Sequence, residues 1–491
     1  MDGKEMNSIL GNGKKNKMTN MTTGSPAGHI LRFALPLLIG NLFQQLYNMV
    51  DSIVVGNYVG SEALAAVGTC GSTNFLFFSL SSGLAVGIGV IVAQYYGAGD
   101  EKGVRATIAN SFYVLGAAAG FVSLLGFFTA PLVLQLLKVP EGIMASSVIY
   151  LRTTCLGIMG IALYNGVSAI LRALGDSRTP LYFLILSSIV NVVLDLSFVL
   201  VLGLGVFGVA LATIISQAVS AVTCIIYAYK RVAYFRLTRE ELKPHAEIIG
   251  RSFRLGVPIA LQSSMIAVSC MALQGVVNGF GESVMAAYTV TARIEQLVQQ
   301  PYTSLSSAVT TYSGQNIGAG NVERVKKGFR QAVLMVLVFS MSMIPVMYFG
   351  GESLVRLFIK DDPNAILYAT KALKITSLCY FGLGMIYVPR GLMNGCGDAA
   401  FSMMNGIAEV VCRFFYAWLF TGIPAIGFWG VWLTTGATWM TTALVCLGRY
   451  FQGAWKKKAI TVTNREPGEI SYTQNAQKST GIICTKVTKV S

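Results

Sequence analysis

The run FLILSSIVNVVLDLSFVLVLGL, residues 183–204, decides the fold class. Only Ser, Asn, Asp and Gly interrupt it, and a helix crosses the ~30 Å of a bilayer's hydrocarbon with roughly 20 such residues. It lacks the apolar–polar alternation of an outer-membrane strand. A second run, Val206 to Tyr229, follows at once. Working outward, comparable runs fill most of the 491-residue chain, which is 54% hydrophobic and 12% charged. A typical soluble domain carries about 25% charged residues. A soluble protein of this size could not hide that much apolar side chain from water, whereas a bilayer removes the difficulty. The chain therefore reads as an all-α membrane protein of about 12 transmembrane helices.

The expected spans are 30–56, 63–95, 104–130, 142–173, 179–202 and 206–230, then 250–279, 283–313, 325–350, 364–394, 400–421 and 427–451. They group as a cytoplasmic N-terminal segment (1–29), an N-lobe (30–230), a basic linker (231–249), a C-lobe (250–451) and a polar tail (452–491) that looks disordered beyond Lys458. The first apolar run starts too late for a signal peptide and reads as a retained span.

The net charge of +15 fits basic cytoplasmic loops, since no nucleic-acid-binding motif accompanies it. With the N-terminus inside, the inner segments hold Lys4, Lys14, Lys15, Lys17, Lys102, Arg105, Arg172, Arg178, Arg231, Arg236, Arg239, Lys243, Arg324, Lys326, Lys327 and Lys456 to Lys458. The outer side holds only Lys138, Arg356 and Lys360. The positive-inside rule then puts both termini in the cytoplasm.

The chain repeats itself about 222 residues on. Leu35-Pro36-Leu37 matches Val257-Pro258-Ile259, and Gln94 with Gly97-Ala98-Gly99-Asp100 matches Gln315 with Gly318-Ala319-Gly320-Asn321. Arg152 matches Lys374, Gly175-Asp176 matches Gly397-Asp398, and Phe207-Gly208 matches Trp429-Gly430. Six spans per copy bring both copies into the membrane from the same side. The lobes are thus expected to be related by a pseudo-two-fold axis along the membrane normal, as in many transporters.

Neither a phosphate-binding GxxxxGK[ST] loop nor an HExxH or GxSxG motif occurs. The nine cysteines have no metal-ligand spacing and there are two histidines, His29 and His245. An enzyme, a metal centre and a cofactor are not expected. A secondary transporter driven by an ion gradient is.

Ionisable residues inside spans are costly and usually face a cavity or a partner. Asp51 lies toward the outer end of the first span, where it is either an interfacial carboxylate or part of a site. Asn191 and Asp195, at i and i+4 in the fifth span, share a helix face. Such a carboxyl beside a carboxamide can hold a proton or a small cation, or be structural. Glu409 and Arg413 are also i, i+4 and read as an internal ion pair. Arg293, Glu295 and Arg152 read as structural or cavity-lining, while Lys371 and Lys374 read as snorkelling from the outer end of the tenth span. Pro36, Pro258 and Pro301 each supply a static kink or a hinge.

Leu35-Pro36, the Asp51 segment, Gln94-Tyr95-Tyr96-Gly97-Ala98, Leu171-Arg172-Ala173-Leu174-Gly175-Asp176 and Asn191 to Asp195 together resemble the multidrug and toxic compound extrusion (MATE) transporters, over about 30–450. The resemblance implies two six-helix lobes forming a V around a cavity open alternately to each side. It implies a monomer in the bacterial cytoplasmic membrane that exports organic cations and drugs against inward protons or Na⁺. It implies a coupling cluster of Asp51, Asn191, Asp195 and Thr213, where Na⁺ could sit between Asp51 and Asp195, with Tyr150 and Asn165 nearby and bending of the first span at Pro36. Gln262, Arg293 and Glu295 are candidate cavity or substrate residues. Gln262 stands where another subgroup has an acid early in the seventh span, which argues against a C-lobe carboxylate of that type. The competing reading is a flippase of lipid-linked saccharides in the same superfamily, which calls for a basic cavity.

Overall fold

The computed structural model describes residues 18–137 and 139–460. The orientation charges Lys4, Lys14, Lys15, Lys17 and Lys138, and the tail from 461 on, lie outside the described residues. Within them the regular structure is helical. The N-lobe contains α1 (Pro26–Val54), α2 (Ser61–Ala98), α3 (Glu101–Leu136), α4 (Glu141–Leu156), α5 (Ile158–Ala173), α6 (Arg178–Leu196) and α7 (Gly205–Arg231). The C-lobe contains α8 (Ala246–Val277), α9 (Glu282–Gly318), α10 (Val322–Arg356), α11 (Pro363–Ser377), α12 (Tyr380–Gly395), α13 (Ala399–Thr421) and α14 (Gly430–Gln452). Single π-helical turns, Val55–Val59 and Ser197–Val201, extend α1 and α6.

These helices make twelve spans, because two of the spans are broken. The fourth span bends by 43° between α4 and α5, and the tenth by 53° between α11 and α12. The sequence reading treated each as one continuous helix. The breaks fall at repeat-related residues, where the Gly157 amide bonds the Thr154 carbonyl and the Cys379 amide bonds the Thr376 carbonyl, each three residues back. At Gly157 a Cβ would stand 2.6 Å from the Ile214 side chain of α7, so α7 packs against the break through a residue without a side chain. Eight single helices and the two bent pairs are long and apolar enough to cross a membrane. In the two remaining spans, α9 and α13, Glu295, Glu409 and Arg413 are buried, while Arg293 of α9 is exposed. The outer surface is apolar, with Phe349 89% and Phe128 71% exposed, as a lipid-facing surface requires.

The lobes meet at the end that carries the basic loops. Along the α2–α8 seam, Gly83 and Gly87 sit so close to Ala260 and Gly256 that a Cβ would come within 2.5 and 2.7 Å of their backbone nitrogens. This is the small-residue contact that lets membrane helices approach. At the ends of α2 and α9, Gly97 lies against the backbone of Gln315 and Gly318 against that of Gln94. The two repeat-related glutamines each cross to the other lobe. Gln94 donates to the Gly395 carbonyl (2.9 Å) and accepts from the Ile460 amide (2.7 Å). Gln315 donates to the Ala173 carbonyl (2.8 Å) and accepts from the Met21 amide (2.9 Å). Both described chain ends are thus tied into this closure. Farther along, Ser79 bonds Ser264 (2.7 Å), and Asn41 reaches Thr303 and Ser304. Beyond those residues, toward the far end, no hydrogen bond among the described residues joins the lobes.

The repeat's glycine–aspartate pairs explain their own recurrence. Gly175 and Gly397 have φ of +90° and +88°, a region glycine enters without steric cost. Asp176 then caps α6, accepting from the Arg178 and Thr179 amides (both 3.0 Å). Asp398 instead takes Arg449 at 2.8 Å.

Candidate functional site

Two polar clusters stand inside the spans, one per lobe. In the N-lobe the last turns of α1 and α6 bring Asp51 and Asp195 face to face, their carboxyl groups within hydrogen-bonding reach. Asp195 and Asn191 are 1% exposed. With its carboxamide turned so that both ends are satisfied, Asn191 donates to Asp195 Oδ2 (2.8 Å) and accepts from the Thr213 amide (3.2 Å). Tyr47, one turn before Asp51, reaches the Thr213 hydroxyl. Buried Tyr150 stands within electrostatic range of both acids. Oδ1 of Asp51 and Oδ1 of Asp195 are each buried without a hydrogen-bond partner. No cation pairs with either acid among the described ion pairs. Two acids therefore stand beside a carboxamide, a hydroxyl and a phenol, and each acid keeps an oxygen with spare lone pairs. That donor set fits a shared proton or a small hard cation, which takes oxygen ligands.

The structure thus brings together Asp51, Asn191, Asp195, Thr213 and Tyr150 and adds Tyr47, whose i, i+4 spacing to Asp51 was the available signal. Asn165 is half-buried in α5, and no hydrogen bond among the described residues links it to the cluster. Pro36 lies inside α1, which runs unbroken through it.

In the C-lobe the expected Glu409–Arg413 pair is present at 3.0 Å, and a second guanidinium joins it, Arg390 at 3.3 Å. Arg390 also donates to Asn405 Oδ1 (2.7 Å), and Gln262, with its amide turned, accepts from Arg390 Nε and Nη1 (both 2.7 Å). Gln262 therefore serves as an acceptor for Arg390. Arg413 donates from Nη1 to the Cys270 thiol (2.5 Å), while its Nε–H has no partner. Arg390, Glu409, Arg413 and Cys270 of this network line a cavity of about 460 Å³, with Tyr288, Tyr387, Trp439 and, from the other lobe, Phe75 also in its walls. Glu295 also lines the cavity, 8% exposed, with Oε1 unpartnered and Arg413 within electrostatic range. Arg293 is exposed and outside the cavity walls, although its neighbours Ala292 and Glu295 line them. Arg152 is structural: its Nε donates to the Phe127 carbonyl (3.2 Å) and its guanidinium lies 5.1 Å from that ring.

Comparison with known proteins agrees with this layout. A family model named MatE matches residues 36–197 and again 258–419, the same offset as the internal repeat. "Probable multidrug resistance protein YpnP" of Bacillus subtilis (strain 168) is 31% identical over 444 residues, covering 90% of this chain and 98% of that one. "Probable multidrug resistance protein NorM" of Thermotoga maritima is 26% identical over 443 residues, covering 89% and 94%. A solved structure of the outward-facing conformation of a multidrug resistance MATE family transporter superposes with a TM-score of 0.83 at 25% identity, covering 91% of this chain and all of that one. The two copies of the family model, set on two repeat-related helical lobes, show that the chain belongs to the MATE family of membrane transporters.

Proposed function

We propose that the protein exports drugs and organic cations across a bacterial cytoplasmic membrane, with both termini in the cytoplasm, in exchange for inward protons or Na⁺. The observation that carries the reading is the Asp51–Asp195 pair, two facing acids in one lobe with an unpartnered oxygen each and no ion pair among the described residues.

Two carboxylates in a low-dielectric lobe repel each other, and a proton or a small cation between them relieves that repulsion. A cationic drug in the adjoining cleft competes for the same negative charge, so ion and drug exclude one another. Exclusion becomes exchange when occupancy also biases which side the cleft faces, because a ligand shifts an equilibrium only by its differential affinity for the two states. With both termini inside, the Gln94–Gln315 closure seals the cytoplasmic end and leaves the cleft facing outward. Pro36 supplies a point in α1, ahead of Asp51, where the backbone can bend.

The flippase reading is not favoured, because the guanidiniums of the C-lobe cavity are bound to Glu409 rather than free for a pyrophosphate. Ethidium efflux from a sensitised host, followed with the Na⁺ and pH gradients clamped in turn, tests the proposal. Efflux that stops when one of the two gradients is abolished supports it and names the ion. Efflux that persists with both gradients abolished, or no efflux from well-expressed protein, overturns it.

A further inference from the structure

Lys457 and Lys458, just after α14, share a cavity of about 550 Å³ with Arg251 and Arg254 of α8. The cavity lies at the end of the molecule that carries the basic loops. Two acids stand in its wall, and both are already taken. Glu247 pairs with Arg251, and Asp398 pairs with Arg449 at 2.8 Å. Arg254, Lys457 and Lys458 are exposed and form no ion pair among the described residues. With Arg449 included, five cations face two anions, which leaves a surplus of three positive charges.

The setting of this surplus points to lipid. Arg254, Leu261 and Val268 follow at seven-residue intervals and so share one face of α8. Leu261 and Val268 are 44% and 54% exposed, while Ile266, Cys270 and Leu273 turn the opposite side of α8 to the C-lobe cavity. The Arg254 face therefore runs into the apolar outer surface, and the positive cavity stands where that surface meets water. The N-lobe repeats the feature. Arg32 and His29 are the repeat counterparts of Arg254 and Arg251, and both line a cavity of about 290 Å³ beside Gly175 and Asp176. Arg32 likewise leads a face on which Ile39 and Leu46 are exposed. Thr19 and Met21 line that smaller cavity, where the C-lobe one has two lysines.

We propose that the cavity beside Arg254 binds the phosphate of an anionic phospholipid from the leaflet on this side, with the acyl chains along the Leu261–Val268 face. Arginine and lysine are the side chains that hold phosphate oxygens, by paired hydrogen bonds or as a point charge. Basic pockets at the cytoplasmic ends of membrane helices attract acidic headgroups in this way. A zwitterionic headgroup carries its own ammonium and leaves the surplus charge uncancelled, whereas an anionic one reduces it. Lys458 is two residues from Ile460, whose amide bonds Gln94 of the N-lobe. A phosphate held between Arg254 and the two lysines therefore also anchors the segment that ties the lobes together. The site lies on the far side of α8 from the cleft, so it docks a lipid and is not a path for cargo. The inference goes beyond the export reading and takes from it only which leaflet faces this end.

The test titrates the purified full chain in detergent with dioctanoyl phosphatidylglycerol, dioctanoyl phosphatidylcholine and water-soluble glycerol phosphate, by isothermal calorimetry. Phosphatidylglycerol is expected to bind roughly tenfold or more tighter than either of the others. R254Q/K457Q/K458Q is expected to bring the two lipids within about twofold of each other. K230Q/R231Q removes two exposed cations from the last turn of α7, outside the cavity, and is expected to keep the preference. Equal affinity of the wild type for the two lipids overturns the proposal, and that comparison needs no variant. Glycerol phosphate binding as tightly as phosphatidylglycerol makes the site one for a soluble anion and overturns the lipid assignment. A triple variant that keeps the preference, or a K230Q/R231Q variant that loses it equally, overturns the placement. Ethidium efflux in cells reads the export proposal separately. Efflux without lipid preference sinks only this inference, and lipid preference without efflux sinks only the other.

Discussion

The two lobes share a backbone and differ in how they handle charge. At the repeat offset, Asp51 and Asp195 of the N-lobe correspond to Leu273 and Ala417 of the C-lobe, while Glu409 and Arg413 correspond to Ser187 and Asn191. The N-lobe thus gathers two like charges with no counter-ion among the described residues. The C-lobe clamps one anion between two cations, at 3.0 and 3.3 Å. The first arrangement is unstable until something positive arrives, whereas the second is nearly complete as built. On the proposed function, a duplicated fold divides the work: the uncompensated lobe is the one to respond to ions, and the compensated lobe offers a fixed polar wall to the cleft.

The largest expected effect separates these roles. D51N and D195N each abolish ethidium efflux at wild-type expression level, because neutralising either acid imitates permanent occupancy. Normal efflux from both variants breaks the comparison. E409Q acts on stability instead. It leaves Arg390 and Arg413 without their shared anion, and removing one partner of a buried ion pair costs about 3 kcal/mol or more. A fall in the thermal unfolding midpoint of the purified protein checks this, and an unchanged midpoint would mean the C-lobe network is not the compensated unit described.

A third prediction concerns the closure both lobes share. Q94A combined with Q315A removes four hydrogen bonds across the lobes. At about 1 kcal/mol each, their loss shifts the balance between facing states by roughly three orders of magnitude. Spin labels at the ends of α2 and α9 should report a longer distance in the double variant. P36A should slow efflux several-fold without lowering the thermal midpoint, since it restores the backbone hydrogen bond proline lacks.

The smallest effect is expected at the linker. Glu241 accepts the Thr238 amide (2.7 Å) and hydroxyl (3.1 Å) and faces Arg105 at 3.6 Å. These contacts hold its carboxyl below the usual carboxylate range, the Thr238 amide first. A lowered carboxyl stabilises the fold above its ordinary range, and that stabilisation is lost as pH falls through the lowered value. E241Q should therefore leave efflux unchanged and remove only this acid-side contribution, which shows as a smaller fall in thermal midpoint on acidification than in the wild type.

Much of this was legible in the sequence because hydrophobic period and charge placement determine spans. Helix ends fell within a few residues of expectation, apart from extensions such as α10 to Arg356. Asp51, Asn191 and Asp195 were readable as isolated polar residues in apolar runs. The breaks at Gly157 and Cys379 were not, since neither interrupts the apolar run that carries the span, and the close approach of Ile214 to Gly157 joins residues far apart in sequence. Gln94 and Gln315 were visible only as repeat anchors, because their partners Gly395, Ile460, Ala173 and Met21 lie far away in sequence. Arg390 was missed for the same reason: Glu409 is 19 residues away on the next helix. Gln262, expected as a cavity or substrate residue where another subgroup has an acid, is an acceptor for Arg390.

The central claim is that occupancy of the Asp51–Asp195 pair sets which side the cleft faces. The most direct measurement is the distance between spin labels on α1 and α8 at the far end of the cleft, by pulsed electron resonance in nanodiscs, as proton or Na⁺ concentration is varied. The account predicts an ion-dependent change in the wild type and a single, ion-independent distribution in the D51N/D195N double variant. A double variant that still follows the ion as the wild type does would contradict it.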